Sequence, residues 1–369
     1  MKKRIIILGS VSFILDKSYV GINHIAMHFA KSGYEVTYLS SASSIFDLFS
    51  TKKRRRRFFT AWIKGGKFKV RDNLDEVIIK TPWILNKSFC QYQLQFPKIL
   101  NQQVFNDRYD ILIATVGALS GFSDKIKAQY KILRLQDYPY DFGISKLLTK
   151  HIEALIKKGV FNQIWSVSHM LCDYVAHLGM ASINHYLPNG VNLQDFLNKF
   201  TVNMNKKCIY IGTFDSWVDK QLIIDAAKIL SDWEFDLFGY GLQIKKGMPD
   251  NIKYYGAIDS NKLPELFIKY SVGIIPFKNS KHVESVERPL KFSQYLASGL
   301  GVASTSFGGL KKGMTNWAYY GNSPKEFANA IIKAYEQRKP KIEVAEYLKE
   351  YDWQVIFEKM DKLIENSIN

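Results

Sequence analysis

Cysteine is scarce in this 369-residue chain, with three residues at Cys90, Cys172 and Cys208. They lie too far apart to read as a disulfide framework or a paired-thiol metal site, and a reducing cytosol is the expected setting. No apolar run reaches the ~18 residues needed to span a bilayer, so any expected membrane contact is peripheral. The basic start Met1-Lys2-Lys3-Arg4 and the short run Ile5–Leu8 imitate the front of a signal peptide. That run ends at Gly9-Ser10 and reads as a first strand. Neither an Asp-x-Asp pair nor a Gly-x-Gly-x-x-Gly loop is present, and there is no short-period repeat or low-complexity linker. Acidic residues are few, 34 against 51 Lys and Arg, which leaves a net charge of +17. That excess points to an anionic partner, whether phosphate-rich lipid, nucleic acid or an acidic substrate.

At 47% hydrophobic residues the chain can bury two cores and is neither disordered nor fibrous. Short apolar runs alternate with helical patterns. Ile5–Leu8 is followed by Ile22, Ile25, Ala26, Phe29 and Ala30 at helical spacing, then by a strand at Glu35–Leu39. Further strands are expected at Ile111–Thr115, Lys131–Leu135, Gln163–Val167 and His185–Leu187. The pattern restarts at Lys207–Ile211, with a helix over Leu222–Leu230. Strands then follow at Phe235–Phe238, Ile252–Tyr254, Gly273–Ile275 and Gly301–Ser304, and helical segments over Pro324–Gln337 and Ile342–Ile368. This predicts two doubly wound α/β halves, residues 1–197 and 198–369, joined through the polar stretch Asn198–Lys207 and facing a cleft, with the last helix returning to the first half.

The most informative segment runs from Glu287 to Gly299, ERPLKFSQYLASG. Pro289 suits the first position of a helix and Gly299 its end. Lys291, Gln294 and Ser298 recur along one stripe, while Leu290, Leu296 and Ala297 can face the core. A helix N-terminus with Arg288 beside it and Lys291 one turn in suits a diphosphate, and Gln294 a ribose hydroxyl pair. The blander readings are a solvated helix face for Lys291 and Gln294 and a surface neighbour of the cap for Arg288. Phe277 follows an apolar strand at the carboxyl edge of the sheet, where it either meets the ligand or fills the core.

Three ordered segments carry a family resemblance. Pro289-Leu290-Lys291 leading to Gln294-Tyr295-Leu296-Ala297-Ser298-Gly299 is similar to the donor-binding stretch of GT-B glycosyltransferases. Pro188-Asn189-Gly190-Val191-Asn192 resembles the stretch ending their N-terminal domain, and Ile211-Gly212-Thr213-Phe214-Asp215 the Gly-bearing loop that opens their second. The likeness spans about residues 160–310. It implies a GT-B fold and a glycosyltransferase of the hexosyl-transferring kind, with no cofactor and no required metal. Donor contacts are implied from Gly212, Thr213 and Phe277, from Tyr255 and Ile258 near the nucleotide base, and from Arg288, Lys291 and Gln294. Two features depart from the retaining members. Gln294 stands where they carry a carboxylate, with Glu287 seven rather than eight residues upstream, and Lys220 only loosely matches their lysine after the Gly loop. The Lys291–Gln294–Tyr295 arrangement resembles the membrane-associated glucuronosyltransferase of xanthan assembly, which implies inversion, a UDP-sugar donor, UDP-glucuronate as one choice, and a lipid-linked oligosaccharide acceptor in exopolysaccharide or cell-surface glycan synthesis.

Inverting transfer needs a base for the acceptor hydroxyl. Asp137, in LRLQDYPYD after an apolar strand, is the first choice and Asp141 the alternate; the blander reading is a turn-forming Asp beside Pro139. His24 and His28 are four apart but have no third ligand, so no metal site is expected. Lys52, Lys53, Arg54, Arg55, Arg56 and Arg57 run into Phe58, Phe59 and Trp62, with Lys64, Lys67 and Lys69 beyond. Cations followed by aromatics suit an anionic membrane surface, which implies a cytoplasmic protein peripheral on the inner face of the cell membrane. Two other functions remain open: a nucleotide-sugar epimerase of the same fold, which needs no such arm, and a nucleic-acid-binding protein, which leaves Lys291 and Gln294 unexplained.

Overall fold

The computed structural model describes every residue except 1, 17–18, 87–101, 141–142, 243–246, 279–280, 314–315 and 369, so Cys90 and Asp141 lie outside the described residues. The chain forms two compact units, Met1–Leu187 with Leu363–Asn369, and Pro188–Lys362.

The first unit holds an eight-stranded sheet of β1 (Arg4–Leu8), β2 (Glu35–Ser43), β3 (Lys67–Arg71), β4 (Leu74–Lys80), β5 (Arg108–Thr115), β6 (Lys127–Leu135), β7 (Gln163–Ser166) and β8 (Asn184–Tyr186). Its order is β3-β4-β2-β1-β5-β6-β7-β8, parallel throughout except where β3 pairs antiparallel with β4. Central β1 is flanked on both sides and buries Ile5, Ile6, Ile7 and Leu8, which is why it reads as an unbroken apolar run. The helix Gly21–Lys31 buries Ile22, Ile25, Ala26, Phe29 and Ala30, the stripe its periodicity predicts. Gln163 donates through Nε2 to the carbonyl of Leu363 and the hydroxyl of Ser367, tying the last turns of the C-terminal helix Trp353–Ile368 to β7.

The second unit holds six parallel strands, β9 (Lys207–Ile211), β10 (Glu234–Phe238), β11 (Ile252–Gly256), β12 (Val272–Ile275), β13 (Gly301–Ser304) and β14 (Tyr319–Tyr320), in the order β11-β10-β9-β12-β13-β14. The order reverses between β9 and β12. That is the topological switch point, where open α/β sheets bind ligands beyond their carboxyl ends.

The division of the chain precedes the expected boundary at 197/198. Leu193, Phe196 and Leu197 pack into the second unit's core, and Val191 bridges Asp352. These apolar contacts draw residues 188–197 into the second unit, while the polar stretch Asn198–Lys207 is held by it, Thr201 N bonding the carbonyl of Ser298.

The basic run is helical. Lys52–Phe58 forms a helix capped by the Thr51 hydroxyl, which accepts from Arg54 N, and a π-turn over Phe59–Ile63 follows. Like charges at successive helical positions repel. Here Lys53 pairs with Asp16, and Arg57 donates to the carbonyl of Ala42 while feeling the charge of Asp47. Lys67 and Lys69 belong to β3, an edge strand whose cations discourage further pairing.

Candidate functional site

Every parallel strand of the second unit delivers its following loop to one edge. At the switch point β9 runs into Gly212 and Thr213, and β12 into Pro276 and Phe277. Thr213 is exposed and Phe277 buried. The helix Leu290–Ala297 enters the same place. Pro289 stands just outside it with extended backbone, one position earlier than expected, because the helical dihedrals begin at Leu290.

Lys291 is the centre of this edge. Its ammonium lies 4.3 Å from the ring centre of Tyr210 and 5.0 Å from that of Phe277. A Cβ placed on Gly212 would stand 2.7 Å from the Lys291 Nζ, so the ammonium sits directly against the loop after β9. Burial lowers its pKa to about 7, because two aromatic faces replace only part of the lost hydration of a cation. This is a lysine poised to gain its proton when an anion arrives.

Around it the backbone is drawn unusually close. Gly212 and Gly239 both have φ of +142°, and a Cβ on Gly239 would come within 1.8 Å of the Gly212 carbonyl oxygen. The loops after β9 and β10 therefore touch through backbone alone. Gly212 N donates to the carbonyl of Phe238, and Gly239 N to that of Gly256. Tyr295, on the buried face of the Lys291 helix, accepts from Ile211 N at 3.0 Å and fixes the helix to the end of β9. The Tyr210 hydroxyl donates to the carbonyl of Thr213. On the β11 side Tyr255 is 54% exposed and stacks on Phe238 at 4.8 Å, which leaves one aromatic face open to solvent; Ile258 is half-buried nearby in sequence. Gln294 is half-buried one turn past Lys291.

Arg288 is buried. Its guanidinium lies 3.3 Å from the ring centre of Tyr351 and 5.1 Å from that of Tyr347, to whose hydroxyl Nη2 donates at 3.1 Å, while Nη1 is buried without a hydrogen-bond partner. The structure thus brings Lys291, Gly212 and Phe277 together and seats Arg288 in an aromatic cage. Sequence reading missed Tyr210 and Gly239, and gave Tyr295 no role beyond its place in the Lys291–Gln294–Tyr295 arrangement. The glycines of Phe238-Gly239-Tyr240-Gly241 were a usable signal, since paired glycines after a strand mark close backbone approach.

In the first unit Asp137 follows β6 at the carboxyl edge and is half-buried. Its charge acts on Arg134, a fully buried guanidinium whose pKa is lowered to about 10 by burial, with the Asp137 charge opposing the shift. The loop after β1 is held on the same edge. Tyr38 Oη donates to the Val11 carbonyl, and the buried Glu76 carboxylate accepts from the Ser40 hydroxyl at 2.5 Å and from Ile14 N at 3.1 Å. His169 opens a helix capped by Ser168 and stacks on Tyr186. His24 is half-buried, and desolvation lowers its pKa to about 4. Among the described residues no group of three His, Cys, Asp or Glu is placed to hold a metal ion, and no helix is long and apolar enough to cross a membrane.

Residues 205–337 match the family model described as Glycosyl transferases group 1. No curated protein matches the chain. Several solved structures share the fold across its length. Sucrose-phosphate synthase from Thermosynechococcus elongatus is 13% identical with a TM-score of 0.68 and 99% of each chain covered. The HepE protein of Anabaena in complex with UDP-glucose is 13% identical, TM-score 0.62, covering 98% of this chain and 99% of that one. The lipopolysaccharide outer core galactosyltransferase WaaB, in apo form, is 12% identical with a TM-score of 0.61 and 99% of each chain covered. The fold is that of GT-B glycosyltransferases, and with its group 1 domain the chain is a glycosyltransferase.

Proposed function

We propose that the enzyme transfers a sugar from a UDP-sugar to a lipid-linked oligosaccharide in exopolysaccharide or cell-surface glycan synthesis, with inversion at the anomeric carbon and without a metal ion. The observation that carries the donor half is Lys291, a desolvated ammonium set against the Gly212 loop at the switch point. A diphosphate there meets one cation and the amides of a helix N-terminus. The open face of Tyr255 suits the nucleotide base, Ile258 and Thr213 border it, and Gln294 serves the ribose. UDP-glucose bound to a protein of like fold supports UDP as the nucleotide. UDP-glucuronate remains the first sugar to try, and Arg288 acts from its cage on the helix end that faces the diphosphate.

Asp137 in this reading takes the acceptor proton as the acceptor oxygen bonds to C1, while the C1–O bond to the diphosphate breaks and UDP leaves. The first unit then receives the acceptor. The helix of Lys52, Lys53, Arg54, Arg55, Arg56 and Arg57, with Phe58, Phe59 and Trp62, holds the enzyme to an anionic membrane from the cytoplasmic side. Of the other readings, an epimerase gives no role to that helix, and a nucleic-acid binder gives none to Lys291.

Thermal shift and calorimetry with UDP, GDP, CDP and ADP, with and without EDTA, test the donor site. Selective stabilisation by UDP that survives EDTA is the expected result. Silence toward all four nucleotides would remove the central support for this function.

A further inference from the structure

Seven of the sixteen large apolar side chains exposed among the described residues gather on one edge of the first unit. They are Ile45 (53% exposed), Phe46, Phe49 (82%), Phe59, Trp62, Ile63 (68%) and Trp83. Ile45, Phe46 and Phe49 lie in a 3-10 turn directly after β2, and Trp83 lies directly after β4, the strand paired in parallel with β2. Phe46 stacks on Trp83 with ring centres 5.3 Å apart. The turn Phe59–Ile63 is fastened beside them, because Trp62 Nε1 donates to the carbonyl of Ser43 at the end of β2 and the ring of Trp62 stacks on Phe58. Sequence reading noticed only the part of this cluster next to the basic run. The turn after β2 and Trp83 join it through the sheet.

Isolated exposed apolar residues need no explanation, but a contiguous group of this size marks an interaction surface. The cations settle which kind. Lys52, Lys53, Arg55 and Arg56 are exposed on the adjoining helix, Lys64 follows the turn, and Lys80 holds its ammonium 5.5 Å from the Trp62 ring. Phe and Trp side chains ringed by Lys and Arg match the headgroup boundary of an anionic bilayer, where apolar groups enter the acyl region and cations meet phosphates. A protein partner would need a matching acidic rim around an apolar centre, whereas an anionic membrane supplies both over any area.

We propose that Ile45, Phe46, Phe49, Ile63 and Trp83 form an insertion platform that enters an anionic bilayer, with the Lys52–Phe58 helix lying flat at its phosphates. This deepens the membrane-facing part of the function proposed above and rests on it. The sheet gives the platform a purpose. The turn after β2 and Asp137 after β6 lie on the same carboxyl edge, three strands apart, which is about 14 Å at ordinary strand spacing. A lipid-borne acceptor emerging beside the platform is therefore within reach of Asp137.

The test is sedimentation of the full-length protein with vesicles of phosphatidylcholine alone or with 30% phosphatidylglycerol, at low and high salt, for wild type and Phe49→Ser/Ile63→Ser. Both side chains are mostly exposed, so the variant should fold, and UDP-induced thermal stabilisation checks that it has. Wild type should bind only the anionic vesicles, and the variant should bind them more weakly by about a hundredfold or more, the loss expected when two apolar side chains no longer enter the acyl region. Brominated acyl chains should quench tryptophan fluorescence in bound wild type and quench it less in Trp83→Phe. The proposal is overturned by unchanged vesicle affinity in the double variant, by binding without quenching, or by a dimer in solution that the double variant breaks, which would make the patch a contact between copies. A protein that binds UDP but ignores vesicles refutes this inference alone. One that inserts as described yet binds no nucleotide refutes the donor site instead.

Discussion

The two sheets share a doubly wound parallel core but finish in contrasting edges. In the second unit the loops after β9, β10 and β12 are drawn together through glycine backbone and buried rings around one lysine. In the first unit the loops after β2 and β4 meet through the Phe46–Trp83 stack and carry exposed aromatics, while the loop after β1 is tied down by Tyr38 and Glu76. A tight, desolvated edge suits a small ligand of fixed chemistry such as a nucleoside diphosphate, because each contact is made at close range in low dielectric. An open apolar edge suits something large and soft. One architecture thus supports two kinds of recognition, and the loops alone make the difference.

That contrast can be broken in several places. The largest expected effect is on the first unit's chemistry: Asp137→Asn should cut turnover about 10²–10⁴-fold while UDP affinity by calorimetry stays within about twofold. Normal turnover in this variant would remove Asp137 from the reaction. Gly239→Ala should cost about 3 kcal/mol or more of stability in chemical denaturation, since its Cβ has no space against the Gly212 carbonyl. A wild-type midpoint would show that the two loops are not locked. Lys291→Ala should weaken UDP about 10–100-fold, the range for a hydrogen bond to a charged group; an unchanged Kd would place the diphosphate elsewhere.

The smallest effect concerns pH. Free Lys291 has a pKa near 7 and must be protonated to meet the diphosphate, so UDP affinity should fall as pH rises, roughly fivefold from pH 7 to 8. Calorimetry in buffers of different ionisation enthalpy should register proton uptake on binding, and this should vanish in Lys291→Ala. For the unliganded fold the sign is opposite. Because the folded pKa is depressed below the unfolded value of 10.5, the unfolded chain holds more protons between about pH 7 and 10.5. Stability from this group therefore rises with pH across that window.

The elements legible in sequence are those whose burial is apolar. Lys207–Ile211 and Gly301–Ser304 have the expected bounds because central parallel strands are apolar on both faces. β2 runs to Ser43, beyond the expected Leu39, because Ser40, Ser43 and the partner residue Glu76 are polar yet buried. The β3–β4 hairpin was hidden for a related reason, its edge strand Lys67–Arg71 reading as part of a basic run. At the site, Lys291 and Phe277 were legible, since each is placed by its own element, a helix N-terminus and a strand end. Tyr210 and Tyr295 were not, because their roles exist only through partners 81 and 84 residues away, Lys291 above one ring and Ile211 N on the other hydroxyl.

By itself the sequence determined the alternation of buried strands and helices, the excess of cations and the position of a lysine in the first turn of the Leu290–Ala297 helix, because these depend on local periodicity and composition. Only the tertiary structure decided that this lysine is desolvated between two rings, that Gly212 and Gly239 meet, and that the turn after β2, Trp83 and the basic helix form one surface. Those properties arise from strand order, which sets as neighbours residues that the chain keeps far apart.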